Sequence, residues 1–216
     1  MPLIDLSHPI ENGMVTYPGL PGPLICDYMS RIESRARYAP GVEFQIGRIE
    51  MVANTGTYLD SPFHRYASGK DLAALPLKWL AGLDGIVVRI APDAGRAIGP
   101  DAFELDVTGK AVLVHTGWDR HWRTPRYLSD HPFLTAAAAE LLRAGGARLV
   151  GIDSLNIDDV DDFARPVHST LLGAEIPILE HMTNLGALPA AGFRFYAVPP
   201  KIVGFGSFPV RAFAAV

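Results

Sequence analysis

The chain has 216 residues and a formal net charge of -4, with 49% hydrophobic and 19% charged residues, enough apolar material for one domain with a substantial core. It carries no basic run and no basic-aromatic stripe, which argues against nucleic acid as a partner. No apolar run reaches the ~18 residues of a membrane-spanning helix. The start lacks the charged region and long apolar core of a signal peptide. Cys26 is the only cysteine, so an internal disulfide and a cysteine-based zinc motif are both excluded, and a cytoplasmic location is expected.

In chain order, Leu3 to Ile10 reads as a strand ended by Glu11-Asn-Gly13. The segment Tyr17-Pro-Gly-Leu-Pro-Gly-Pro23 reads as a loop, either a plain connection or part of a substrate entrance. Phe44 to Val52 alternates in part and feeds into the stretch that follows it. A short helical piece is expected around Leu72 to Leu80, then buried strands over Gly85 to Ile90 and Ala111 to His115. Leu134 to Ala144 is the clearest helix, Ala-rich and ended by Gly145-Gly146. Leu149 to Ile152 reads as a buried strand, and Phe193 to Val198 and Ile202 to Phe205 as closing strands. This order predicts a mixed α/β domain over residues 1-216, with many strands and few long helices.

The densest chemistry lies in Asn54-Thr-Gly-Thr-Tyr-Leu-Asp-Ser-Pro-Phe-His64. If that stretch runs extended, Asn54, Gly56, Tyr58, Asp60, Pro62 and His64 project to one side. That face would hold an amide, a phenol, a carboxylate and an imidazole, with a glycine leaving room for a ligand against the backbone. A ligand site and a half-buried polar strand both accommodate this pattern.

Elsewhere, Trp118, His121 and Trp122 follow a buried strand, where aromatic residues either wall a pocket for a planar substrate or pack an edge. The acidic run Asp153, Asp158, Asp159, Asp161 and Asp162 lacks calcium-loop spacing and reads as a solvated loop, with Asp153 placed to support a site from behind. No Gly-x-Ser-x-Gly elbow and no glycine-rich phosphate loop is present.

The signature stretch resembles the His-x-Gly-Thr-His-x-Asp-x-Pro-x-His motif of the cyclase or kynurenine formamidase family, matched here by Gly56, Thr57, Asp60, Pro62 and His64. Asp5-Leu-Ser-His8, Tyr17-Pro-Gly19, Thr116-Gly-Trp118, Gly151-Ile-Asp153, His168, Leu171-Leu172, Glu180 and Asn184-Leu185 extend the likeness over nearly the whole chain. It departs where the family has its first two histidines, here Asn54 and Tyr58.

The resemblance implies a swivelling β/β/α-type domain with a mixed sheet, assembled as a homodimer or homotetramer. It implies Asp60, His168 and Glu180 as metal ligands and His64 as general acid/base; the histidine role does not carry over to Asn54 and Tyr58, whose amide and phenol can instead offer hydrogen bonds to substrate or an oxyanion, and Tyr17 and Trp118 are expected as substrate contacts. Three such ligands suffice for one ion, zinc or manganese, while a two-metal centre is not expected; one metal and none are both open. The expected activity is hydrolysis of a small amide, formamide, lactone or lactam, a small-molecule carbonyl substrate. The alternatives are a metal-independent cyclase, dehydratase or isomerase, and a non-catalytic ligand-binding descendant.

Overall fold

The computed structural model describes residues 1-216. Its strands are, in chain order, β1 (Leu3–Asp5), β2 (Leu24–Met29), β3 (Ile46–Glu50), β4 (Tyr58–Asp60), β5 (Ala81–Arg89), β6 (Ala97–Ile98), β7 (Ala111–His115), β8 (Phe133–Leu134), β9 (Leu149–Ile152), β10 (Ile178–Glu180), β11 (Ala191–Tyr196), β12 (Ser207–Pro209) and β13 (Phe213–Ala215). Nine of them form one mixed sheet in the order β1-β13-β11-β5-β7-β9-β10-β4-β12. The central β5, β7, β9 and β10 run parallel, and the strands on either flank are antiparallel. The fold is α/β.

The centre is parallel because its strands can be buried on both faces. Ala-Val-Leu-Val at 111 to 114 and Leu-Val-Gly-Ile at 149 to 152 are buried throughout. Side chains alternate: Leu113 and Leu149 enter one core with Leu59, Leu179 and Phe195. The short helix α1 (Arg31–Ser34) follows β2, and Val112, Val114, Val150 and Ile152 enter the other core, beneath the helices α2 (Ala136–Ala144) and α3 (Pro166–Gly173). Thr135 caps α2, its side chain accepting from the Ala138 N–H at 3.2 Å.

The buried strands 111 to 115 and 149 to 152 stand where the sequence places them, and α2 starts two residues later than expected because Leu134 is drawn into β8. Other expectations fail. Only Leu3–Asp5 of the first segment is a strand, and 72 to 80 holds a single 3-10 turn at Leu77–Trp79. The segment 202 to 205 is not a strand; the chain closes with β12 and β13 instead. β3 pairs only with β2, in a hairpin outside the main sheet. For the strands, alternation is local while the sheet is assembled from distant segments, so pairing rather than propensity sets the outcome.

Two pairings position the site. In β4 against β10, Tyr58 stands opposite Glu180, and in β4 against β12, Asp60 stands opposite Ser207. Opposed residues of an antiparallel pair share a face, so register alone brings side chains together that are more than a hundred positions apart.

Candidate active site

Only Tyr58–Asp60 of the signature stretch is extended, with Tyr58 and Asp60 on the site side and Leu59 in the core behind. Gly56 has a φ of +64°, and an added Cβ would lie 3.2 Å from Ile10 Cγ1. It therefore makes a left-handed turn against packed side chains and leaves no room for a ligand, contrary to the sequence reading. After Asp60, Pro62–His64 forms a 3-10 turn that carries His64 round to the same cavity.

Asp60 is fully buried. Its Oδ1 accepts the hydroxyl hydrogen of Ser207, and the Ser207 oxygen lies 2.9 Å from His64 Nδ1. With the serine hydrogen spent on Asp60, Nδ1–H must donate to Ser207, and in the neutral ring this tautomer leaves the lone pair on Nε2. Asp60 Oδ2 is buried with no hydrogen-bond partner. Such an orphan is costly and marks a place where a further group is expected.

His168 sits in the first turn of α3. Its Nδ1–H donates to Asp158 Oδ2 at 2.6 Å, and the same carboxylate accepts the backbone N–H groups of Val167 and His168 at 2.7 and 3.0 Å. Asp158 thus caps the helix and fixes the ring. Nε2 of His168 lies 3.7 Å from Asp60 Oδ2 and 3.6 Å from Glu180 Oε1. Burial alone would lower its pKa; the hydrogen bond to Asp158 and the nearby carboxylates of Asp60 and Glu180 outweigh burial and raise it to about 10.

Glu180 accepts from the Tyr58 phenol at 2.5 Å and from the Ile157 N–H at 2.7 Å. Burial pushes its pKa up to about 7, with His168 pulling the other way. Burial and the neighbouring Glu180 hold the Tyr58 phenol well above its usual range, so it is a neutral donor.

Donor atoms of Asp60, His64 and His168 all lie within 4.8 Å of one another. The third member is His64, not the Glu180 expected from the resemblance; Glu180 Oε1 lies 3.6 Å from His168 Nε2. Two imidazoles and a carboxylate with a partnerless oxygen fit a single divalent ion.

A cavity of about 330 Å³ opens onto this cluster, a size suited to a small ligand. Asn54, Tyr58, His64, His168, Glu180 and Tyr17 all line it. Trp118 does not. It is 6% exposed and packs on Tyr127 and Leu155, its Nε1–H donating to the Tyr127 carbonyl, so edge packing is the role the structure gives it. The acidic run also divides: Asp161 and Asp162 are exposed, whereas Asp153 and Asp158 are completely buried. The solvated-loop reading is therefore corrected for Asp158, whose hydrogen-bond partners lie nine and ten positions away. Asp153 accepts from Thr116 and Gly117 behind the site. Ser207, Asn156, Arg65 and Arg165 were likewise not singled out from the sequence.

Gly206 makes a close approach at this site, since an added Cβ would fall 2.6 Å from His64 Cα. Gly206→Ala must therefore displace His64 from Ser207. Turnover is expected to fall by at least about tenfold, with a stability loss of about 1–3 kcal/mol. Kinetics and urea unfolding of the variant check this, and unchanged kinetics would show that His64 need not be held there.

Fold and cavity together define an α/β protein with a small-molecule site over a carboxylate and imidazole cluster. The sequence profile of the family described as Putative cyclase matches residues 4–159, and the chain belongs to that family. It is 27% identical to kynurenine formamidase of Bacillus cytotoxicus over 97% of this chain and 95% of that one. A solved structure described as a potential metal-dependent hydrolase with cyclase activity aligns with a TM-score of 0.80 at 27% identity, covering 99% and 96% of the two chains. Isatin hydrolase A of Labrenzia aggregata, bound to benzyl benzoate, aligns with a TM-score of 0.84 at 21% identity over 99% and 93%, a likeness of fold.

Proposed function

We propose that this protein hydrolyses a small amide, of the formamide or lactam class. The observation that carries the reading is the cavity floor, where Asp60, His64 and His168 converge and Asp60 Oδ2 is left without a partner. The names of its relatives, formamidase and metal-dependent hydrolase, support the same reading.

Asp60, His64 and His168 are the residues that would hold one zinc or manganese ion, and when bound it supplies a Lewis acid for the scissile carbonyl. An imidazole so engaged cannot also carry the proton, so that task falls to Glu180. Its carboxylate, on the lining of the same cavity, would take the proton of the attacking water and return it to the leaving nitrogen. Tyr58 holds Glu180 in position from the opposite strand. The Asn54 amide, at the cavity wall, donates to the carbonyl oxygen.

A second reading has one observation in its favour. The Ser207 contact leaves His64 Nε2 free to accept a proton directly, and Glu180 with Tyr58 would then serve as the acid of a metal-independent cyclisation, dehydration or isomerisation. Hydrolysis of an aryl formamide before and after chelation separates the two. Turnover lost on chelation and restored by zinc or manganese supports the first reading. Chelator-insensitive turnover moves the assignment to the second, and absence of turnover with every amide, ester and lactone sinks both.

Assembly into a homodimer or homotetramer is proposed on separate grounds. The β2–β3 hairpin exposes Leu24, Ile25, Tyr28, Ile46 and Ile49 at 37 to 73% and pairs with no other strand. An isolated two-stranded hairpin is at best marginally stable, so a second copy packed on this face would account for it. Light scattering is expected to give at least twice the 23.3 kDa of one chain; a monomer mass would contradict it. No helix is long and apolar enough to cross a membrane.

A further inference from the structure

His181 follows Glu180 directly at the end of β10, and its backbone is left-handed, with a φ of +55°. That conformation is uncommon for a residue with a Cβ, whereas glycine adopts it freely. The side chain is fully buried, and its Nε2 has no hydrogen-bond partner. An apolar side chain would fill the same volume without leaving a buried nitrogen unpaired. Strain and an orphaned nitrogen beside the proposed proton carrier therefore point to a role other than packing.

Three sets of contacts fix this residue. The Thr57 hydroxyl donates to its carbonyl at 2.5 Å and accepts the His8 backbone N–H at 3.0 Å, which ties the backbone of His181 to the neighbour of Tyr58. The Tyr127 phenol oxygen lies 2.9 Å from Nδ1. Burial holds that phenol well above its usual range and pushes the His181 ring down to about 3, with His8 and His131 acting on the ring in the same sense, so both groups are neutral. The phenol makes no other hydrogen bond, so its hydrogen goes to Nδ1 and the ring carries its own on Nε2. Finally, the ring packs against Tyr58 and Trp122 at centroid distances of 5.3 and 5.6 Å, and Trp122 is stacked on His8 at 4.0 Å.

None of His181, Tyr127 and Trp122 lines the cavity, whereas Tyr58 and Glu180 do. Tyr58 is thus gripped from outside the cavity by the His181 ring while its hydroxyl donates to Glu180 Oε2 at 2.5 Å. The other donor to that oxygen, Asn156 Nδ2, is 3.5 Å away, too distant to orient it alone. The direction of the carboxylate therefore depends on where the phenol stands.

We propose that His181, fixed by Tyr127, is a positioning residue: its ring holds the Tyr58 phenol against Glu180 and so aims the carboxylate that carries the proton. This rests on the proton role given to Glu180 under both readings of the reaction, but the grip on Tyr58 does not.

The test combines kinetics on an aryl formamide with proton NMR of zinc-incubated protein, in the low-field region where a buried, hydrogen-bonded phenol hydrogen is protected from exchange. The unaltered protein is expected to show a hydroxyl resonance that disappears in Tyr58→Phe. His181→Asn suits the left-handed backbone and can still accept from Tyr127, but it puts no ring against Tyr58. It is expected to lose that resonance and to lower kcat by about tenfold or more, with KM within about threefold and an unchanged circular dichroism spectrum. In a Tyr58→Phe background the same change should cost less than about threefold, since its effect runs through the phenol. A His181 needed only for packing would leave both the resonance and the kcat of the folded variant as they were, and either result overturns the proposal. So does a missing resonance in the unaltered protein, or a tenfold further loss in the Tyr58→Phe background. Should His181→Asn fail to fold, Tyr127→Phe, which removes one hydroxyl outside the cavity, decides by the same two readouts. A resonance lost in His181→Asn, with no formamide turned over by the unaltered protein, sustains the grip on Tyr58 and removes the hydrolase reading.

Discussion

Asp60→Asn is expected to lower kcat/KM for an aryl formamide by about a thousandfold or more with the fold retained. The substitution keeps the shape and can keep the hydrogen bond from Ser207. It removes the one charge that faces both His168 and His64 and replaces the partnerless Oδ2 with a group that cannot hold a cation. A fully buried side chain at the meeting point of β4 and β12 would ordinarily be kept for packing, yet packing is what the asparagine preserves. Steady-state kinetics beside a circular dichroism spectrum check the expectation. Activity within about tenfold of the unaltered protein would show that the carboxylate is structural.

Asp158→Ala is expected to destabilise the protein by about 3–5 kcal/mol, the cost of leaving a buried charge without its partner. Three donors lose their acceptor at once: the His168 ring and the first two backbone N–H groups of α3. The same contact has a pH signature in metal-free protein. His168 is raised from 6.5 to about 10 when folded, so its stabilisation is complete below pH 6.5 and is lost as pH rises through 10, at no more than about 1.4 kcal/mol per pH unit. Urea unfolding between pH 6.5 and 10 should show this decline in the unaltered protein and a shallower one in Asp158→Ala. Equal slopes would mean that Asp158 does not hold the proton on His168.

Asp158 also shows where sequence reading stops. It stands in a run of acidic residues that share one polar pattern, and only the turn into α3 buries it while leaving Asp161 and Asp162 in solvent. Ser207 was hidden for a similar reason: it becomes informative only once β12 is paired in register with β4. Tyr58 and Asp60 were legible because a three-residue strand preserves alternation, and the central strands were legible because unbroken apolar runs have few other places to go. Trp118 looked like a pocket wall because an aromatic residue after a strand fits either role, and the choice lay with Tyr127 and Leu155, its neighbours in space. His168 and Glu180 were found through likeness to a family, since a spacing of twelve residues carries no geometry of its own.

The most direct measurement is metal content by mass spectrometry, on protein purified without an affinity metal and compared with Asp60→Asn. Close to one zinc or manganese ion per chain is expected in the unaltered protein, with most of it lost in the variant. An empty site after incubation with both metals, in protein that still hydrolyses an aryl formamide, would contradict it and pass the chemistry to His64, Glu180 and Tyr58 alone.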